Sequence, residues 1–361
     1  MIQMLSVRVT HLTSALDVGS LALLSVTLTV VLIATAAQTA NRIIIDTDAG
    51  IDDAAAIFLA LTDNSVQVDA ITCVMGNTNI DNVVVNVLKV LKISNQENIP
   101  VYAGTNYGLM HNLNASDFFG NDGLGDVYFP NPPSVDKKQK GHAAVQMVKL
   151  VKENPGIITV ICLGPLTNLA IAINIEPNFL SLVKKVVILG GAIRGMGNQS
   201  PGVEFNFFYD PDAVSLVLQR ASLFSNIVTI LGLEPVNDAK FNKTWRWDVL
   251  GKLNTKIVKF LNQIELAHDK MYPNIKLYTP YDSGAVAVAL YPEVVRDSQD
   301  LFVTIDPFGQ AARGAMLIDY YNVTSKRANV NLITEINGSV LLQRIFNNFA
   351  KYKCSIKQKC L

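Results

Sequence analysis

The 361-residue chain has no surplus charge of either sign, since 30 Lys and Arg balance 30 Asp and Glu. That balance removes the electrostatic reason to expect nucleic acid or an acidic membrane as a partner. Cysteine is scarce, with four in the chain. Cys73 and Cys162 lie in apolar strand-like runs and read as buried thiols. Cys354 and Cys360 flank a short polar stretch near the C-terminus, and a disulfide between them is plausible only outside the reducing cytosol. Internal repeats, low-complexity tracts and Pro/Gly-rich linkers are also missing, so nothing divides the folded part into separate domains. What the chain does have is apolar mass: half of its residues are hydrophobic, enough for a large core.

The N-terminus differs from the rest. No charged residue occurs from Val18 to Ala37, Arg8 and His11 precede this run, and small residues follow it. The pattern is that of a secretory signal peptide spanning residues 1–40, with cleavage near residues 36–40. A signal anchor is the competing reading, because the run is almost long enough to span a bilayer. The first core strand begins near Arg42, which leaves no linker after a membrane helix and favours cleavage. The expectation is a secreted, extracellular domain covering residues 41–361 with no stable membrane anchor. Asn-x-Ser/Thr acceptors at Asn114, Asn198, Asn242, Asn322 and Asn337 suit that route.

Apolar β-rich runs at Ile43–Asp46, Val68–Val74, Ile157–Leu163, Val186–Leu189 and Ile227–Leu231 alternate with helical patterns at Asp53–Leu61, Ile80–Leu91, His142–Val151, Leu166–Ile173 and Pro211–Leu218. This alternation predicts an α/β fold with a mostly parallel, Rossmann-like sheet covered by helices on both faces. The Gly-, Asn- and Asp-rich stretch from Tyr107 to Asp136 reads as a functional loop inside that single domain.

Ligands in such folds sit beyond the carboxyl ends of the strands. There the first strand runs into Asp46-Thr47-Asp48-Ala49-Gly50-Ile51-Asp52-Asp53, four carboxylates in eight positions. Helix capping needs only one or two acids. Packing four together is costly unless a cation pairs with them, and an all-oxygen set selects a hard divalent ion, Ca²⁺ or Mg²⁺.

The motif resembles the Asp-Thr-Asp-Pro-Gly-x-Asp-Asp-Ala signature of the inosine/uridine-type nucleoside hydrolases, a family that includes secreted arthropod purine nucleosidases. Ala49 replaces the usual proline, which keeps the turn possible but less pre-organised. Further segments resemble the family in the same order: Met75-Gly76-Asn77-Thr78, Leu163-Gly164-Pro165-Leu166-Thr167-Asn168, Gly190-Gly191-Ala192, Gly197-Asn198, Glu204-Phe205-Asn206 and Tyr281-Asp282-Ser283-Gly284. The resemblance implies a Ca²⁺ ion held by the Asp48, Asp53 and Asp282 carboxylates and the Leu163 carbonyl. Asn77 would orient the acids. Asn198, Glu204, Asn206, Asp52 and Asp282 would hold the ribose, and Asp52 would accept a proton from the attacking water. A homo-oligomer is possible on the same resemblance.

Many members of the family place a histidine before the last aspartate and another in a glycine-rich loop; this chain has Tyr281 and Phe119 there. Histidine acids at those two positions are excluded. Two aromatics beside the base resemble the purine-specific members, in which stacking favours the larger ring. The expected activity is hydrolysis of inosine, guanosine or adenosine to ribose and free base. A pyrimidine or broad specificity, a nucleoside-sequestering protein without turnover, and an Asp-x-Asp phosphotransferase with Asp46 as nucleophile are the rivals. His111 lies in the long loop within possible reach of the base, whereas His142 and His268 carry no specific signal.

Overall fold

Ile43, Ile44 and Ile45 show why the sheet needs cover on two sides. Side chains alternate along a strand; Ile43 and Ile45 enter one apolar cluster while Ile44 enters another. The computed structural model, which describes residues 40–224 and 227–352, supplies both covers.

In chain order the first half comprises Asn41–Thr47 (β1), Ile51–Leu61 (α1), Val66–Cys73 (β2), Ile80–Ile93 (α2), Val101–Ala103 (β3), Ala143–Glu153 (α3), Thr159–Cys162 (β4), Thr167–Ile175 (α4), Phe179–Leu182 (α5) and Lys185–Leu189 (β5). Then come Phe205–Tyr209 (α6), Pro211–Ala221 (α7), Val228–Leu231 (β6), Leu233–Asp238 (α8), Lys256–Met271 (α9), Tyr281–Leu290 (α10), Val295–Leu301 (β7), Val303–Ile305 (β8), Met316–Ile318 (β9), Val330–Ile336 (β10) and Gly338–Lys351 (α11). Eight strands form one sheet in the order β3-β2-β1-β4-β5-β6-β10-β7. All neighbours are parallel except β7, which closes the edge antiparallel to β10. Strands β8 and β9 pair apart as an antiparallel ribbon.

Helices α1, α2, α9, α10 and α11 bury their apolar sides in one cluster, and α3, α4, α5 and α7 bury theirs in the other. The α/β expectation holds, with predicted element ends displaced by a few residues. The apolar runs did not reveal β3, β8, β9 or β10, nor β7, whose sequence Val-Arg-Asp-Ser-Gln-Asp-Leu is charged because an edge strand is half exposed. Cys73 and Cys162 are buried free thiols, as expected. Cys354, Cys360 and the uncharged run Val18 to Ala37 lie outside the described residues. No helix among the described residues is long and apolar enough to cross a membrane.

Two features place the site. Strand order reverses between β1 and β4, which are neighbours, and the crevice beyond such a switch point is where α/β sheets take ligands. From Gly104 to Ser134 the chain has neither helix nor strand, leaving a long segment free to wall that crevice.

Candidate active site

Asp48 follows β1 and is almost wholly buried. Its Oδ2 accepts the Asn77 backbone N–H at 2.8 Å. Two glycines make room for it: a Cβ on Gly76 would lie 2.2 Å from Asp48 Oδ2, and one on Gly164 would lie 2.8 Å from Oδ1. Asp53 is held from three sides, accepting the Thr47 hydroxyl at 2.5 Å, the Gly50 N–H at 2.9 Å and the Asn77 side-chain amide at 3.1 Å. Asn77 therefore bonds two of the acids, Asp48 and Asp53. Every residue of α1 except Asp52 is buried, and Asp52 lines the crevice together with Ile51 and Ala55. Both acids sit in the first turn, where the helix dipole favours negative charge.

The turn departs from expectation at Ala49, whose φ is +22°. A proline ring is confined near −65°, so this backbone is not the family's proline turn with the ring removed. The Ala49 amide donates to Thr47 Oγ1 and its carbonyl accepts from Asn86, which holds the turn in this shape.

Asp52, Asp53 and Asp282 each offer a carboxylate oxygen, and these atoms lie within 4.8 Å of one another. Asp282 stands in the first turn of α10 but does not cap it; Pro280 occupies the cap position. Burial, with repulsion from Asp52, Asp53 and Asp48, pushes the Asp282 carboxyl well above the usual range. Burial and Asp53 do the same to Asp48, and burial with Asp53 brings Asp52 up to about 7. Asp48 Oδ1 is buried and has no hydrogen-bond partner. Like charges kept from water, one oxygen without a donor and an all-carboxylate donor set together fit a divalent cation.

Beside this acidic cluster opens a cavity of about 420 Å³ lined by Asp52, Asn77, Phe119, Leu163, Asn198, Glu204, Asn206, Tyr281 and Asp282, and also by Trp247, His268 and Tyr278. Nine of the residues singled out from the sequence thus converge. Glu204 is an N-cap whose oxygens accept the amides of Asn206, Phe207 and Gly191, and burial raises it to about 7. The Asn206 amide donates to the Leu163 carbonyl at 2.7 Å, occupying one of that oxygen's two lone pairs. Asn198 Oδ1 accepts the Phe205 N–H. The Tyr281 phenol donates to Asn237 Oδ1 at 2.6 Å, so its proton is committed to the protein.

The Inosine-uridine preferring nucleoside hydrolase model matches residues 43–343. This chain belongs to that family. It is 33% identical over 304 residues to the inosine-uridine preferring nucleoside hydrolase of Leishmania major, covering 82% of this chain and 93% of that protein. It is 32% identical over 299 residues to the pyrimidine-specific ribonucleoside hydrolase RihA of Escherichia coli, with 82% and 94% covered. Among solved structures, an inosine-guanosine nucleoside hydrolase superposes with TM-score 0.80 at 30% identity, covering 85% of this chain and 98% of that one. A purine-preferring ribonucleoside hydrolase from Gardnerella vaginalis gives 0.76 at 25%, with 86% and 98% covered. The chain is an N-glycosyl hydrolase whose substrates are nucleosides.

In this nucleoside hydrolase several sequence candidates stay away from the cavity. Asp46 is fully buried, bound through Oδ1 to Thr72 and Asn168, and does not line the cavity; the phosphotransferase rival loses its nucleophile. Asn168 ties strand ends together, donating to Asp46 and to the Cys73 carbonyl. His111 sits 3.9 Å from Asp212 and outside the lining.

Other residues gave no signal in the sequence. Buried Asn86 on α2 donates to the Ala49 carbonyl at 3.0 Å and the Asp122 carbonyl at 2.6 Å, and accepts from Lys89 at 3.2 Å. It clips the acidic turn after β1 to the loop carrying Phe119. On the outer wall, a π-helix at Trp245–Val249 packs Arg246 against Glu265 in a bidentate pair on α9, and Lys243 meets Asp269. Polar residues on amphipathic helices read as solvated until the fold turns them inward.

Proposed function

We propose that this nucleoside hydrolase is a secreted, Ca²⁺-dependent purine nucleosidase. The observation that carries the purine reading is that Phe119 and Tyr281 line the cavity where many relatives carry histidine. Asp48, Asp53, Asp282 and the Leu163 carbonyl would hold the ion, and the partnerless Asp48 Oδ1 supports this. When bound, the cation offsets the clustered negative charge and polarises water.

The chain's own groups do the rest. Asp52, the acid open to the cavity, takes the proton of the attacking water; the new C–O bond forms at C1′ as the C1′–N bond breaks and its electron pair leaves with the base. Direct attack without a protein nucleophile inverts the anomeric carbon. Neighbouring carboxylates stabilise positive charge developing on the ribose. Asn198, Glu204 and Asn206 border the sugar end, and aromatic rings stack on the base. The run Val18 to Ala37 supports secretion.

Pyrimidine cleavage is the second reading, favoured by the likeness to RihA. Release of ribose and base from inosine, guanosine, adenosine and uridine, with and without a chelator and in Asp52→Ala, separates the two. Chelator-sensitive purine cleavage lost about 10²- to 10⁴-fold in Asp52→Ala supports the proposal. Uridine cleavage faster than inosine cleavage overturns the purine preference.

A further inference from the structure

We propose that His268 holds the departing nucleobase, its imidazole N–H donating a hydrogen bond to purine N7 as the C1′–N9 bond breaks. The inference rests on the reading of this cavity as a purine nucleoside site. Three histidines are described, and two are engaged elsewhere: His142 Nδ1 caps α3 by accepting the Ala144 N–H, and His111 faces Asp212. Only His268, on α9, lines the cavity.

Its surroundings suit a base rather than a structural bond. The ring packs against Phe118 at 4.8 Å and Phe119 at 5.1 Å, with Tyr272 at 5.0 Å. Inside this aromatic box Nε2 is buried and has no partner. Leaving a ring nitrogen desolvated and unpaired costs about 1–3 kcal/mol, which a ligand that supplies the missing partner recovers. Phe118 belongs to the segment without helix or strand and is itself 38% exposed; the proposal requires this ring to give way to a base that stacks on Phe119. Burial holds the imidazole below its ordinary pKa, with Asp269 opposing, so the ring is neutral near pH 7, and the proposal places its one N–H on Nε2.

Several other donors beside this site are committed. Tyr281 donates to Asn237, Lys243 to Asp269, and Arg246 to Glu265 and Asn262. The departing purine takes the electron pair of the C1′–N9 bond, and a donor aimed at that developing charge stabilises the transition state more than the ground state. The base leaves hydrogen-bonded and takes its proton from solvent, while the water's proton goes to Asp52.

The test compares wild type, His268→Phe and His268→Gln, all metal-loaded and checked for unchanged melting, on inosine, 7-deazainosine and p-nitrophenyl riboside. The proposal predicts that kcat on inosine falls about 100-fold in His268→Phe. Gln, which keeps an N–H, recovers part of it. The loss shrinks to a few-fold with p-nitrophenyl riboside, whose leaving anion is stable unaided, and with 7-deazainosine, which lacks the acceptor. Equal losses on all three substrates, or none on inosine, overturn it. Should wild type cleave uridine but not inosine, the purine reading fails first, and that outcome is visible without any variant.

Discussion

The two ends of the cavity are built by different means. At its floor, Asp48, Asp52 and Asp53 come from one turn after β1, and Asp282 joins them from α10; all but Asp52 are sealed from solvent. At its outer wall, Phe119 comes from a long irregular segment, His268 and Glu265 from α9, and Trp247 from a π-helix. The floor is a rigid charge cluster whose shape is set by glycines at Gly76 and Gly164. The wall is an assembly of rings and ion pairs that meet only in the folded chain. In the proposed function, chemistry common to nucleosides would belong to the floor and discrimination between bases to the wall, because loops tolerate change that a buried carboxylate cluster does not.

The sharpest break of this comparison is at the floor. Asp282→Asn should abolish detectable hydrolysis of every nucleoside, purine or pyrimidine alike, and weaken Ca²⁺ binding measured by calorimetry. The same variant should melt higher than wild type in chelator at neutral pH, since it removes a carboxyl whose ionised form burial and the neighbouring acids disfavour in the fold. A variant that keeps its Ca²⁺ affinity would move the ion elsewhere.

Asn86→Ala tests whether floor and wall are coupled. It deletes two buried donors at once and leaves Lys89 with a single carboxylate partner, Asp122. A stability loss of about 2–4 kcal/mol is expected by urea unfolding, together with higher KM and weaker metal affinity. Asn86→Gln should not restore it, because the longer side chain cannot span the same two carbonyls. A change in stability alone would show that the clip is not part of the site.

Phe119→Ala should act on the wall alone. Stacking contributes about 0.5–1.5 kcal/mol, so the inosine-to-uridine ratio of kcat/KM should fall about three- to tenfold with Ca²⁺ affinity unchanged. An unaltered ratio would assign base choice to other wall residues.

The smallest effect concerns pH and only the metal-free protein. Asp46, Asp52 and Glu204 stand at about 7 in the fold, above ordinary carboxylate values. The folded state therefore holds more protons than the unfolded state between about pH 4 and 7, and stability falls as pH rises through that window. Melting temperature in chelator should drop by a few degrees from pH 5 to pH 7.5, while Ca²⁺ flattens or reverses the trend. A rise with pH in chelator would contradict the raised values.

The floor was legible in the sequence because contiguous chain encodes it: a strand, a turn and a helix start bring three acids together without help from distant segments. Phe119 and Tyr281 were legible through the family's motif rather than through their own chemistry. Asn86, Lys89 and His268 were not legible, since a polar residue on an amphipathic helix has no mark that it faces inward. Ala49 went the other way, its backbone being held by Thr47 and Asn86 in a conformation that a proline could not share.

By itself the sequence determined the α/β layering, through alternating apolar periods, and the cluster of acids at the first strand's end, through local spacing. Tertiary structure decided which polar groups meet across the chain: that Tyr281 spends its proton on Asn237, that Asp46 turns into the sheet, and that His268 faces the cavity among rings. Those outcomes depend on the packing of elements far apart in sequence, where burial and hydrogen-bond satisfaction are settled collectively and no local pattern records the result.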